Sequence, residues 1–423
     1  MVYSGDAIPT DIWAEIFDHL LYDPILFNPD PLSDCLNPHT ALRMWYDYPL
    51  LENLERQRRR LRLVSSTWEI LAEKHVNQYL DAAQCSTPDF AMVKRVRFRK
   101  RRTPSFDDYD TWFSEEKKSS KVDSPHLSTL SDYARRALDI TSAPRLTIIT
   151  LTGQFCLTAI MDRALRGAFP AVRALSVEEC SYPPPDLSTA FPNLVLLAWR
   201  IIANSLPTSS DIETETIFSD LTTFQLAFDN DTMDLSLFQH WTLPRLRHFE
   251  FTVSCFDEEP STRCTRSMYR FLRTVRESLT GLKIALLGDW ITPPSDLWEI
   301  LPHLKYLGMS TVTPGAPFPP LPARHPLRTM ANTDVTGSIS DVAPLQTLRE
   351  WDSLTTFADV HRWDDIPPWT RGADEPLFAH EHKIGVVPCP DCIIDIHAFC
   401  TLRGLRYEDK FSESWDEFCT RSK

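Results

Sequence analysis

Glycine is scarce in this 423-residue chain, with 11 residues against 33 prolines. Phosphate-cradling loops need glycines close together so that backbone amides can approach the anion, and neither a G-x-G-x-x-G nor a P-loop pattern occurs. Nucleotide-dependent catalysis is therefore not expected. The G-x-S-x-G elbow and the H-E-x-x-H helix are also missing, which removes the visible signatures of two common hydrolase designs. No run of about 18 apolar residues is long enough for a membrane span. The first seventeen residues carry Asp6, Asp11 and Glu15 in place of the basic start and apolar run of a secretory leader. Ten cysteines over this length are too sparse for a secreted disulfide scaffold. Together these absences predict an intracellular chain, in cytoplasm or nucleus, with most cysteines as buried thiols.

The charge balance excludes another class. A formal net charge of -14 argues against nucleic acid as the main partner, because phosphate binding is driven by Lys and Arg. Two basic clusters stand out, Arg56 to Arg62 and Lys94 to Arg102. In the first, Arg58, Arg59, Arg60 and Arg62 are expected on the solvated face of a helix. In the second, Val96 and Phe98 alternate with cations, as on a strand with one wet face. A nuclear import signal or an anion site is the other reading of either cluster.

Hydrophobic residues make up 43% of the chain, as in folded soluble proteins, and their spacing is informative. From Thr10 to Leu21, Ile12, Ile16, Phe17, Leu20 and Leu21 fall on one stripe of an amphipathic helix. Pro9 stands where proline is tolerated, before the first helical hydrogen bond, and Asp11 and Glu15 complement the helix dipole. A second helix is predicted from about Leu50 to Leu80, with Leu54, Leu61, Val64, Trp68, Leu71 and Ala72 on its buried side. Between them, Pro24, Pro29, Pro31, Pro38 and Pro49 predict that much of the stretch from Ile25 to Gln57 is loop.

The segment Ile8-Pro9-Thr10-Asp11-Ile12, continuing through Ile16-Phe17 and Leu20, resembles the opening of an F-box. Leu61-Arg62-Leu63-Val64-Ser65-Ser66-Thr67-Trp68, followed by Leu71-Ala72, resembles its closing element. The resemblance implies a non-catalytic substrate receptor of an SCF-type cullin-RING ubiquitin ligase. It would bind a Skp-type adaptor, and through it cullin, with contacts at Ile8, Pro9, Ile12, Ile16, Leu63, Val64 and Trp68. The insertion at 25-57 is far longer than the usual connection between the two halves. A scaffold without a ligase connection, or an enzyme using the C-terminal segment, are the competing readings.

The rest of the chain is periodic. The leucine-rich-repeat frame L-x-x-L-x-L is matched at Leu146-Ile149-Leu151, Val172-Leu175-Val177, Leu194-Leu197-Trp199, Leu221-Phe224-Leu226 and Leu246-Phe249-Phe251. It continues at Leu282-Ala285-Leu287, Leu304-Leu307-Met309, Leu327-Met330-Asn332 and, weakly, Leu348-Trp351-Ser353. Successive first residues lie 26, 22, 27, 25, 36, 22, 23 and 21 positions apart. All but one fall in the period of about 20 to 29 expected of such repeats. The long interval has room for a helix over Thr265 to Leu279. Val93-Val96-Phe98 reads as an earlier copy, before a loop insertion at 104-125.

Pro144, Pro170, Pro192, Pro244, Pro302 and Pro326 each precede a first apolar residue by one or two positions. They are expected to stop the preceding helix and lead into a strand. Cys180 occupies the frame's Asn/Cys position. The fold expected is therefore an α/β repeat. An all-α F-box-like module over 1-82 would be followed by an irregular leucine-rich-repeat solenoid over 83-375 and a cap segment over 376-423. The solenoid would bind a protein target through an extended curved surface.

In the cap, Cys389 and Cys392 form a Cys-x2-Cys pair that suits half of a tetrahedral zinc site, with His397 and Cys400 following. The spacing resembles a zinc knuckle, but only two residues separate His397 from Cys400 where that family has four; His380 and His382 are further candidates. Buried thiols are the simplest expectation, since free cysteine behaves as a small hydrophobe. Zinc and a redox dithiol remain open, and no cofactor is assigned.

Overall fold

Helix α1 (Thr10–Leu21) follows Pro9, whose carbonyl accepts the Trp13 amide at 3.1 Å. One of its faces buries Phe17 and Leu21. Behind it come α2 (Pro24–Phe27), α3 (Pro38–Trp45), α4 (Tyr48–Leu61) and α5 (Ser66–Glu73). The stretch expected to be loop is thus largely helical. Three of the five prolines start helices: Pro24 and Pro38 are first residues and Pro49 is the second of α4. A first-turn amide has no partner to lose. Asp23 and Asp47 cap the free amides of Ile25 and Leu50 at 3.1 and 2.9 Å. The helix expected from Leu50 to Leu80 is broken after Leu61 by a turn. There the Leu63 and Val64 amides bond Arg60 and Leu61 carbonyls three residues back.

The computed structural model describes residues 9–33, 38–73, 78–81, 93–98, 143–180, 182–201, 215–228, 235–254, 262–287, 293–309, 318–332, 351–358, 390–409 and 413–421. The insertion at 104-125 lies outside them. They fall into two units, one of residues 1–29 and 45–194, the other of residues 30–44 and 195–423.

In the first unit β1 (Tyr79–Asp81), β2 (Arg95–Phe98), β3 (Ile148–Thr152) and β4 (Ala174–Cys180) lie side by side, all parallel. Parallel neighbours need crossovers, and α6 (Gln154–Leu165) supplies the one from β3 to β4; α7 (Leu187–Ala190) follows β4. The second unit carries β5 (Leu196–Ile201), β7 (Thr223–Phe228), β9 (His248–Ser254), β10 (Gly281–Leu287), β11 (Tyr306–Met309), β12 (Thr329–Asn332), β13 (Thr356–Ala358) and β14 (Arg406–Glu408). These too are parallel and in sequence order. Two short strands, β6 (Thr216–Ile217) and β8 (Trp241–Thr242), pair separately. Among its described residues this unit also carries the helices α8 (Thr262–Val275), α9 (Leu297–Ile300), α10 (Pro390–Arg403) and α11 (Trp415–Arg421) and a 3-10 turn at Leu235–Phe238. No helix among the described residues is long and apolar enough to cross a membrane.

The expected pairing of an all-α module with a leucine-rich-repeat solenoid is overturned by this architecture: twelve parallel strands carry an α/β fold. The N-terminal helices are no free-standing module, because α1, α2, α4 and α5 share a unit with β1 to β4, and α2 and α4 share a core with β1. Tyr79 of β1 packs with Leu26, Phe27, Leu51 and Leu54. The expectation failed because periodicity reports one face of a strand, whereas here consecutive residues are buried. Ile148, Ile149, Thr150 and Leu151 are all inaccessible, as are Leu196 and Leu197. Strands covered on both faces belong to a layered parallel sheet.

The apolar triads nevertheless fall on strands, with two shifts of frame. Leu282 pairs with Phe249 and with Leu307, so the frame there begins at the buried Leu279, three residues before the position read. The weak last copy is displaced too, since Phe357 pairs with Met330; Leu348 lies outside the described residues. The long interval holds α8, at Thr262–Val275. Pro144, Pro170, Pro244 and Pro302 are each the second residue of a turn closed by the amide of the triad's first residue. Those turns are Ala143 to Leu146, Phe169 to Val172, Leu243 to Leu246 and Leu301 to Leu304. That position favours the locked proline angle.

Cys156, Cys180 and Cys400 are buried. Burial pushes the Cys156 thiol up to about 11 and Cys180 to about 12, so neither is a reactive thiolate.

Candidate functional site

The helices of the first unit divide their apolar residues in two. Trp13, Ala14 and Leu61 pack with Trp68 against Phe17, Leu21, Leu71 and Ala72. The Trp68 ring sits 4.9 Å from Trp13 and 5.3 Å from Phe17. Half-buried between α1 and α5, Trp68 is therefore part of the internal packing as well as a candidate contact. Ile12, Ile16 and Leu20 recur every four residues, a spacing that makes them neighbours on the adjoining strip of α1. Ile12 and Leu20 are exposed and Ile16 is half-buried.

The turn after α4 and the helix that follows expose further apolar side chains. Ser65 caps α5, its Oγ accepting the Trp68 amide at 3.2 Å and its carbonyl the Glu69 amide at 2.8 Å. Arg62 reaches Glu69 at 3.3 Å across the turn. This closure directs Leu63 and Val64 outward, 87% and 60% exposed, and leaves Ile70 of α5 at 71%. Val64 is thus not on the buried side where periodicity put it. Among the described residues eight large apolar side chains are exposed, and five of them, Ile12, Leu20, Leu63, Val64 and Ile70, belong to α1 and the α4–α5 corner. Such concentration is unusual on a surface with nothing to bind.

Of the residues expected to meet an adaptor, Pro9, Ile12, Leu63 and Val64 are exposed, Ile16 and Trp68 are half-buried, and Ile8 lies outside the described residues. Leu20 and Ile70 had not been assigned to the contact. Leu20 could have been found from its spacing behind Ile12 and Ile16; nothing local marks Ile70.

The charges beside the surface are sorted by the fold. Arg59 and Arg60 are exposed. Arg58 is fully buried against expectation, its Nη1 2.8 Å from Glu55 and its Nε donating to the Leu21 carbonyl at 3.0 Å. It ties α4 to the end of α1. In the second cluster, the strand Arg95–Phe98 has no wet face at Arg95, which is also inaccessible. Arg95 Nη1 donates at 2.8 Å to the carbonyls of Leu26 and Trp45, and its guanidinium lies 4.4 Å from the Trp45 ring. Arg97 stacks 3.5 Å from the Tyr48 ring. These cations anchor helices on the strands, and burial lowers the pKa of Arg95.

At the C-terminal end, His397 and Cys400 lie on α10 together with Cys392; Cys389, His380 and His382 lie outside the described residues. His397 Nε2 is 3.7 Å from Asp416, and burial lowers its pKa while Asp416 opposes that shift. Among the described residues no group of three or more His, Cys, Asp or Glu side chains is placed to hold a metal ion. Comparison with known proteins finds no matching family model and no matching curated protein.

Proposed function

We propose that this chain is a substrate receptor of an SCF-type cullin-RING ubiquitin ligase. The surface of α1 and the α4–α5 corner would dock a Skp-type adaptor, and the second unit would hold a protein target. The chain supplies no reacting group on this reading: it tethers the target where other subunits transfer ubiquitin, so its contribution is proximity. The observation that carries the reading is the set of five exposed apolar side chains on the two segments that resemble the halves of an F-box. Burying them on a partner recovers hydrophobic free energy that the free chain forgoes. Exposed Arg59 and Arg60 alongside fit a partner whose rim is acidic.

Co-expression with a Skp-type adaptor and cullin tests it. The expected result is one complex containing all three proteins. Failure of the wild-type chain to bind any Skp-type adaptor would leave a protein-binding scaffold in place of a ligase receptor.

A further inference from the structure

Beside its apolar side chains, the α4–α5 corner carries a serine in a basic frame. Arg60 and Arg62 precede Ser65 by five and three positions, and Arg59 stands one further back. Ser65, Arg59 and Arg60 are exposed and Arg62 is half-buried. Arg58 is no part of this frame, because its guanidinium is committed to Glu55 and to the Leu21 carbonyl. Arg62 instead pairs with Glu69 at 3.3 Å, with 35% and 52% of the two side chains in water. A pair so wetted holds its arginine weakly.

The backbone at this place is held lightly as well. The Leu63 and Val64 amides reach the Arg60 and Leu61 carbonyls at 3.0 and 3.1 Å, short-range bonds of the 3-10 kind. Leu63, Val64, Ser65, Ser66 and Thr67 form a run of exposed residues. Opening the turn at Leu63 and Val64 therefore uncovers no core, and local openings of this kind lie at the low end of a protein's range of stabilities. An enzyme that takes its substrate as an extended strand finds an acceptor hydroxyl here.

We propose that Ser65 is the acceptor of an arginine-directed protein kinase, and that its phosphate switches off adaptor docking. A kinase cleft with carboxylates placed for arginines three and five positions before the acceptor reads this frame by charge. In the transfer, Ser65 Oγ attacks the γ-phosphorus of magnesium-bound ATP and the kinase's carboxylate base takes the hydroxyl proton. The bond from that phosphorus to the β-phosphate oxygen breaks, and ADP leaves. Ser65 Oγ already caps α5, accepting the Trp68 amide at 3.2 Å. A phosphate there lies at the positive end of α5 and draws Arg62 from Glu69, so the folded chain tolerates it. The same group brings about two negative charges beside Leu63 and Val64, where docking removes water. A partner that is apolar within an acidic rim offers them no counter-charge, and their desolvation is left uncompensated. The switch rests on the reading of this corner as the adaptor surface.

The test treats the full chain with active protein kinase B and MgATP and maps the modified residues by mass spectrometry. Treated and untreated chains are then compared in thermal unfolding and in calorimetric binding of a purified Skp-type adaptor. Ser65 should take up phosphate, and Arg60→Ala/Arg62→Ala should slow that uptake at least about tenfold. The phosphorylated chain should unfold no earlier than the untreated one, yet bind the adaptor at least about tenfold more weakly. Ser65→Ala, which lacks the acceptor, should bind the adaptor equally before and after treatment. Absence of phosphate on Ser65, or uptake indifferent to the two arginines, overturns the site. Earlier unfolding of the phosphorylated chain, or adaptor affinity unchanged by the phosphate, overturns the switch. If the untreated chain binds no adaptor, the ligase reading fails and takes the switch with it, while the mapping still decides Ser65.

Discussion

The double substitution Leu63→Ala/Val64→Ala separates a docking surface from a core. Fully burying a leucine or valine side chain contributes about 1.5–3 kcal/mol relative to leaving it in water. Leu63 is 87% exposed and Val64 60% in the free chain, so most of that gain is still available to a partner. Alanine keeps a minor part of the contact, and the pair should cost about 2 kcal/mol of adaptor binding, or about thirtyfold in affinity. The free chain has little to lose, since exposed substitutions usually stay within about 0.5 kcal/mol. Calorimetric titration of a purified Skp-type adaptor, beside thermal unfolding of the variant alone, reads both quantities. Leu61→Ala is the control in the opposite sense. Leu61 packs with Phe17 and Leu71, so its truncation should lower the unfolding temperature of the free chain. The reasoning is refuted if the double variant binds the adaptor like wild type, or if it unfolds as early as Leu61→Ala.

Three further outcomes follow from the geometry. Arg95→Met removes two charge-assisted hydrogen bonds at 2.8 Å but relieves a buried cation of its desolvation. Urea unfolding should show a net loss of about 2–3 kcal/mol, and an unchanged midpoint would contradict the anchoring role. Phe249 is 1% exposed and its ring is 5.0 Å from Phe271. Phe249→Asp buries an unpaired charge and should cost more than about 4 kcal/mol, read as loss of the cooperative transition. His248 titrates near 4 when folded against an ordinary value of 6.5, so the unfolded chain binds more protons between those values. Stability should therefore fall as pH drops from about 6.5 through 4, and His248→Asn should flatten that slope in thermal unfolding followed across pH.

Much of this was legible locally. The strip Ile12, Ile16, Leu20 needs only the helical period, and the triads around Ile149, Leu175, Leu197, Phe224 and Phe249 need only the strand period. Each reports which residues share a face of their own element. Local pattern also located the helix between β9 and β10, because the interval was too long for a bare crossover. The frame at Leu282 was misread because Leu279-Leu282-Ile284 and Leu282-Ala285-Leu287 both satisfy the same spacing. Only pairing with Phe249 chooses between them.

What lies against a face is a different quantity, because it depends on segments far apart in the chain. The cations at Arg95 and Arg97 look solvated to any local rule. Arg95 is buried and Arg97 half-buried because the helices carrying Leu26, Trp45 and Tyr48 offer carbonyls and aromatic rings at that place. Val64 has the spacing of a core residue, yet the turn that ends α4 points it into water. Leu32, Pro38 and Leu42 sit in a stretch whose prolines suggest loop, and they roof a pocket over strands about 180 to 270 residues later. The amino-acid order determines the period of each element, since backbone geometry repeats every two or 3.6 residues. Which face is covered, and by what, was decided by tertiary packing, because burial is settled by whatever distant surface removes water from it.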